Sequence, residues 1–236
     1  ILSSGDVEDT GGLRVYYSDD SGRSWKGSST PVVYSEVLVN VQEGKVVELS
    51  DGSLKLYCRT DRGYLYQMNS YDRGETWDLE LKPTQLISTL CAFNVERDPE
   101  TGYHYVVWTY ENTNDRNKIQ HPRQRLGFAV SKDDMKTFEY ITQIDDWRGN
   151  TDRFMNASID ITDDYIYVNV ARLYGSSNTD WRTMLYRISK KDIVSSPYFE
   201  RPYIDGKISF DEEKSLKNIV GKQTAFLSGK TQYLSN

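Results

Sequence analysis

The sequence predicts an all-β protein, a β-propeller of four-stranded antiparallel blades, on three observations. An eight-residue segment of the form Ser-x-Asp-x-Gly-x-Ser/Thr-Trp occurs twice, as SDDSGRSW at 18–25 and SYDRGETW at 70–77. Weaker copies follow, and the serines that open the four segments stand at 18, 70, 131 and 189, so the spacings are 52, 61 and 58 residues. Such periods are too long for small solenoid repeats and suit four-stranded blades with loop insertions. Between the segments the chain alternates β-branched and aromatic residues with polar ones, and Asp, Gly or Pro punctuates the runs. Aromatics make up 13% of the chain, with 18 tyrosines against 6 prolines, a balance that favours many short strands over helices.

Each unit reads as strand A, tight turn, strand B, loop, strand C, box, strand D. Residues 11 to about 35 supply strands C and D of a first blade, with LRVYYS leading into the 18–25 box. VVEL-SDG-SLKLYCR gives A and B of the second, and YLYQMNS leads into the 70–77 box. CAFNVER-DPETG-YHYVVWTY and LGFAVS build the third, whose box at 131–138 is degenerate: Met135 replaces Gly and Phe138 replaces Trp. ASIDI-TDD-YIYVNVARLY opens the fourth, which reaches a faint fourth box in MLYRISKKDI. The tail over 201–236 leaves room for further strands.

The boxes are expected to be structural. Ser18 and Asp20, and likewise Ser70 and Asp72, carry oxygens that accept turn amides. Gly22 and Gly74 permit positive φ, and Trp25 and Trp77 are expected to pack beneath their blades. The acidic residues of the boxes lack the ligand spacing of a calcium loop, and no metal or other cofactor is expected. Cys58 and Cys91 lie in apolar strand patterns and read as buried thiols rather than a disulfide.

Charge and hydropathy narrow the partners. The net charge is −6 and the pI about 5.1, without a long basic run, which argues against nucleic acid and anionic membrane. No apolar stretch approaches the roughly 20 residues of a membrane span, and a sequence that opens on Ile1 without a signal-like stretch is expected to be a processed chain or an excised piece.

Antiparallel order decides which residues share a face. The A–B turns and the boxes lie on one side, and the starts of A, the B–C loops and the D–A loops gather on the other, a mouth. That mouth collects Glu43 and Asn156 at starts of A, Arg59 at an end of B, and Asp152 and Trp181 from loops. It also collects Arg62, Arg116, Arg123, Arg125, Arg148, Arg153 and Arg182. Several arginines round a shallow pocket suit a carboxylate held by bidentate, charge-assisted bonds. Arg59 and Arg125 are the preferred pair because each sits at a strand edge and not at a loop tip. Glu43 is placed to orient a nucleophile or share its proton. Solvated loop charge and strand-end polarity are the plain alternatives.

The boxes, EGKVVELSDGSLKLYCR and RLGFAVSKDD together resemble the sialidase (neuraminidase) superfamily, whose propellers carry BNR or Asp-box repeats, over about residues 11 to 174. The resemblance implies a six-bladed propeller, of which this chain, one domain over 1–236, would cover roughly three and a half to four blades as the C-terminal portion. The remaining N-terminal blades are then expected in the same precursor or on a second chain, because an open stack would expose strand edges. The implied activity is a retaining exo-glycosidase that removes a terminal acidic sugar from a glycan, acting outside the cytoplasm, secreted or periplasmic. Glu43 falls at the position of the carboxylate that partners the family's nucleophilic tyrosine, Arg59 at its second arginine and Arg125 at its third. The first arginine and the acid/base Asp would lie in the earlier blades. Asn156 stands where the family has the tyrosine, and Asn cannot attack an anomeric carbon. Tyr165 and Tyr174 are read as lying at the wrong ends of strands A and B or inside B. The alternative function is therefore a non-catalytic Asp-box propeller that binds glycan or protein through the same mouth.

Overall fold

The computed structural model describes residues 2–3, 12–29, 32–33, 41–109, 123–146, 152–175 and 179–195. These form antiparallel sheets and one short helix. The tail over 201–236 and the mouth arginines Arg116 and Arg148 lie outside the described residues. The chain divides into two compact units, Ile1–Ala92 with Asn112–His121, and Phe93–Glu111 with Pro122–Asn236.

The first unit contains two sheets. In one, β2 (Gly12–Tyr17) pairs with β1 (Leu2–Ser3), β3 (Lys26–Gly27) and β4 (Val32–Val33). The last two meet successive stretches of β2, so they supply the outer strand in two pieces. In the other sheet, β5 (Gln42–Glu48), β6 (Leu54–Arg59), β7 (Tyr64–Ser70) and β8 (Lys82–Ile87) lie in chain order. The β5–β6 turn closes where Gly52, at φ 81°, donates its N–H to the Leu49 carbonyl at 3.0 Å. Leu13 and Val15 of β2 are buried on either side of exposed Arg14, the two-residue period of a half-buried strand. They pack with Val41, Leu56, Cys58, Met68, Trp77 and Leu81 into one core.

The second unit repeats the plan. Strands β9 (Asn94–Arg97), β10 (His104–Thr109), β11 (Arg125–Ser131) and β12 (Glu139–Asp146) form one sheet, and β13 (Arg153–Ile161), β14 (Tyr165–Leu173) and β15 (Trp181–Ser189) the other. All of β10 is buried, as expected of a strand covered on both faces. Its Tyr105 stacks on Phe128 of β11 at 5.8 Å, and both enter a core with Phe154, Ile166, Val168 and Tyr186. Cys58 and Cys91 are buried and not joined in a disulfide, and burial pushes the Cys58 thiol up. Cys91 precedes β9 rather than lying in it, so strand A of this blade is shorter than the CAFNVER pattern predicts.

Three boxes close by one hydrogen-bond scheme. Ser18 Oγ donates to Asp20 and accepts the Gly22 N–H at 2.8 Å, while Asp20 accepts the Ser24 N–H at 2.8 Å and the Ser24 hydroxyl at 2.6 Å. Ser70, Asp72, Gly74 and Thr76 repeat the arrangement. So do Ser131, Asp133, Met135 and Thr137. The degenerate box therefore keeps the turn without its glycine: Met135 adopts φ 64° and is buried, as is Phe138.

Two box expectations are corrected. Trp77 is buried, but Trp25 is 46% exposed and its indole N–H reaches only the Gly22 carbonyl, at 3.2 Å. Trp77 joins the core formed with Leu56, Met68 and Leu81, whereas Trp25 does not. The fourth segment does not form a box at all: after Ser189 the chain enters helix α1 (Lys190–Ser195). Position 191 is Lys where the boxes carry Asp, so no carboxylate is available to gather the turn amides, and right-handed backbone continues.

Helix α1 is tied down by a buried ion pair. Lys190 Nζ lies 2.9 Å from Asp98 Oδ2, and Asp98, fully buried in the turn between β9 and β10, also accepts the Glu100 N–H and the Tyr105 hydroxyl. Burial works against the charge on Asp98, but the Lys190 ammonium and the surrounding donors prevail and hold its carboxyl below the usual range. Breaking such a pair leaves one buried charge uncompensated. Lys190→Met is expected to lower stability by about 3–5 kcal/mol in chemical denaturation, with Asp98→Asn/Lys190→Met losing less than the sum of the single changes. The boxes add an acid dependence. The Ser24 hydroxyl and amide hold Asp20 at about 2, and the Thr76 hydroxyl and amide hold Asp72 below its ordinary value. A carboxyl depressed in the folded state stabilises above its unfolded value, and that contribution is lost as pH falls through the folded value. Tm is expected to stay level from pH 7 to 5 and to drop between about pH 4 and 2, measured by thermal denaturation across that range.

Candidate functional site

In the first unit the mouth end of the second sheet is built by one bulge. Gln42 faces Arg59 and Lys45 faces Tyr57, so Glu43 and Gly44 together oppose Cys58. The extra residue turns Glu43 into the left-handed region at φ 48°, an uncommon conformation for a non-glycine residue. It leaves the carboxylate half exposed, and Arg59 Nη1 donates to Glu43 Oε2 at 2.7 Å. The second terminal nitrogen of Arg59 donates to Gln42 Oε1. Two acceptors on one strand thus hold a guanidinium that is only 13% exposed, and the planar fork fixes the carboxylate in return. Glu43 and Arg59, sixteen residues apart in sequence, are joined as the threading requires.

The second unit repeats the bulge. Met155 faces Ala171 and Ser158 faces Asn169, so Asn156 and Ala157 oppose Val170. Asn156 also adopts φ 48° and is exposed. It holds in its strand the place that Glu43 holds in β5, although β13 begins three residues earlier, at Arg153. The difference is chemical: an amide stands where the other bulge presents a carboxylate.

Asp152, just ahead of β13, is committed to its neighbours. Its Oδ2 accepts from Arg172, with Nε at 2.9 Å, and its Oδ1 accepts the Gly175 N–H at 2.8 Å. Burial would raise this carboxyl, but the Gly175 amide and the Arg172 guanidinium outweigh it and hold it low. Arg172 lies 4.2 Å from the Tyr174 ring centroid, and Arg182, its cross-strand partner on β15, lies 4.5 Å from the same ring. Tyr174 directly follows β14, so it stands at the mouth end of the blade, contrary to the sequence expectation. Trp181 opens β15 opposite Leu173, and strand alternation turns it to the sheet face away from Arg182.

Arg125 is the first residue of β11. The residues before it meet the start of the next sheet: the Arg123 carbonyl accepts the Phe154 N–H at 2.7 Å, Arg123 Nη1 sits 2.6 Å from Met155 Sδ, and the Gln124 side chain reaches the Asp152 carbonyl at 3.5 Å. Arg125, Asp152 and Asn156 therefore stand at one end of the second unit, while Glu43 and Arg59 belong to the first. Sequence analysis missed Gln42, Arg172 and Tyr174. Counting the register back from the Ser50–Ser53 turn would have found Gln42, and following β14 to its end would have found Tyr174.

A model of the family described as "BNR repeat-like domain" matches residues 3–191. The curated Anhydrosialidase of Macrobdella decora is 40% identical over 79 residues, which cover 33% of this chain and 10% of that protein. The intramolecular trans-sialidase from Ruminococcus gnavus, solved with oseltamivir carboxylate, superposes with a TM-score of 0.53 at 20% identity, over 80% of this chain and 40% of that one. The alpha-L-arabinanase of Penicillium chrysogenum, complexed with arabinobiose, superposes with a TM-score of 0.53 at 14% identity, over 78% of this chain and 56% of that one. The chain thus spans a tenth of the curated relative and about half or less of these structures. At these identities the structural likeness concerns the fold, which is that of sialidase-type propellers.

Asp152→Asn tests the tie at the mouth of the second unit. The amide offers one acceptor where two donors converge and leaves Arg172 without its counter-charge. A loss of about 2–3 kcal/mol is expected in urea denaturation.

Proposed function

Because the chain belongs to the BNR repeat-like domain family, within the sialidase superfamily, we propose that it is part of an exo-glycoside hydrolase that removes a terminal acidic sugar from glycans. In this reading 1–236 is one portion of a longer propeller that works outside the cytoplasm, secreted or periplasmic. The observation that carries the proposal is the Glu43–Arg59 pair on its bulge. A glutamate at φ 48° costs of order 1 kcal/mol or more, and the same φ is adopted by Asn156 at the other bulge, so backbone geometry alone does not call for Glu there. Glu43 is the group that takes a proton, Arg59 holds it in position and offers its remaining N–H edge to the sugar carboxylate, and Arg125 supplies a further guanidinium. Asn156 provides no nucleophile. Hydrolysis through this mouth therefore calls for water or another side chain as the attacking group.

Asn156 favours a second reading, a propeller that binds acidic glycans without cleaving them. A fluorogenic sialoside, followed by a panel of acidic-sugar glycosides, separates the two when offered to the intact protein. Release that falls at least about a hundredfold in Arg125→Ala, with the fold intact by circular dichroism, supports the hydrolase. Glu43→Gln is expected to lower kcat by about 10²–10⁴ with a small change in KM. Saturable binding with no release on any substrate supports the lectin instead.

A further inference from the structure

Strand pairing and one side-chain bond fix Gln42 at the mouth end of the first unit. Val41 before it lies in the core, Gln42 itself faces Arg59 across the hairpin, and the bulge that presents Glu43 begins directly after it. Its Oε1 accepts from a terminal nitrogen of Arg59. A carboxamide has an acceptor end and a donor end, so this bond decides which way the amide faces. Turned over, it would set its NH2 group against the guanidinium, donor against donor. The two N–H groups on Nε2 are therefore left over, and no described residue accepts them. Glu43 alongside is engaged through Oε2, so one guanidinium orients both side chains.

The other bulge of the chain shows that its backbone does not ask for an amide here. Met155 holds in β13 the place of Gln42 in β5, directly ahead of the left-handed residue, and a methionine side chain has no N–H to give. Nor does Arg59 ask for one, since it needs only an acceptor. A glutamate at 42 would hold the guanidinium more strongly through a charge-assisted bond, but it would set a second carboxylate beside Glu43. Glutamine keeps the acceptor, adds no charge and carries a donor.

We propose that Gln42 determines specificity at this site: its side-chain N–H groups donate to the carboxylate of the acidic sugar, beside the guanidinium of Arg59, and so select the acid over its neutral ester. The proposal rests on the reading of the mouth as a site for acidic sugars and adds to it a residue that reads the acid group. Every residue it invokes belongs to the first unit. Arg59 is in this respect a positioning residue as well, because it holds the amide in the orientation that leaves the donor end open.

Calorimetric titration of the intact protein tests this without any need for turnover. Methyl α-sialoside and methyl galacturonide are each compared with their own carboxyl methyl ester. In at least one pair the unaltered protein is expected to prefer the acid. Gln42→Met should weaken binding of that acid about tenfold or more, as befits the loss of one hydrogen bond to a charged group, while binding of the ester moves less than about twofold. A second measurement needs no variant and separates contact from mere support of Arg59. In the isotope-labelled unaltered protein, the side-chain NH2 signals of Gln42 should move downfield in nuclear magnetic resonance spectra as the acid is added, and stay in place when the ester is added. An acid preference that survives in Gln42→Met, or NH2 signals that stay still while the acid binds, overturns the role of Gln42 and leaves the acidic-sugar site standing. Equal affinity for acid and ester in both pairs of the unaltered protein overturns the acidic-sugar site, and the role of Gln42 with it.

Discussion

A single aspartate carboxylate, accepting the amide and the hydroxyl of the residue four positions on, turns the chain at the end of strand C in three blades. Every statement about the mouth depends on that turn, because it sends strand D back along C and so decides which strand ends lie together. The degenerate box shows which part of the motif is indispensable. Met135 stands in place of glycine at φ 64°, and the turn still forms. The strain of a left-handed non-glycine residue, about 1 kcal/mol, is offset by the serine and aspartate bonds and by a buried methionine side chain. Where Lys191 removes the carboxylate, the same stretch becomes a helix.

The strands that open the second and fourth sheets share a second device. In each, two residues oppose one across the first hairpin, and the first of the two sits at φ 48°. The bulge turns a side chain out at the mouth end whatever its chemistry. Asn tolerates that backbone conformation better than most residues, so Asn156 is comfortable there. Glu43 is not, and it is kept in place by Arg59. Equal geometry with unequal chemistry is what sets the hydrolase and the lectin readings against each other.

Ion pairs in this acidic chain serve position more than stability. Glu43–Arg59 ties two strand ends, Asp152–Arg172 ties the start of β13 to the end of β14, and Asp98–Lys190 ties α1 to a turn. A desolvated pair gains little net free energy over an apolar pair of the same shape, but it tolerates few alternative arrangements. Each therefore fixes a segment that strand pairing alone leaves free to shift by a residue.

The repeat of the boxes, the alternation of the strands and the glycine turns determined the all-β blade architecture, because each is a local pattern with a period of its own. Antiparallel order then carried Glu43 and Arg59 to the same edge, and this too was legible, since the count runs along one short hairpin. Tertiary structure decided what no local pattern encodes. Trp77 is buried in the core and Trp25 is not, although the two boxes share one hydrogen-bond scheme. The bulges at Glu43 and Asn156 come from register between strands. Arg172 and Arg182 share the Tyr174 ring only because β14 and β15 pair in the register that sets them opposite each other. Sequence reports the residue types available at an edge, but which charges neutralise one another depends on distances across strands, and folding alone sets those.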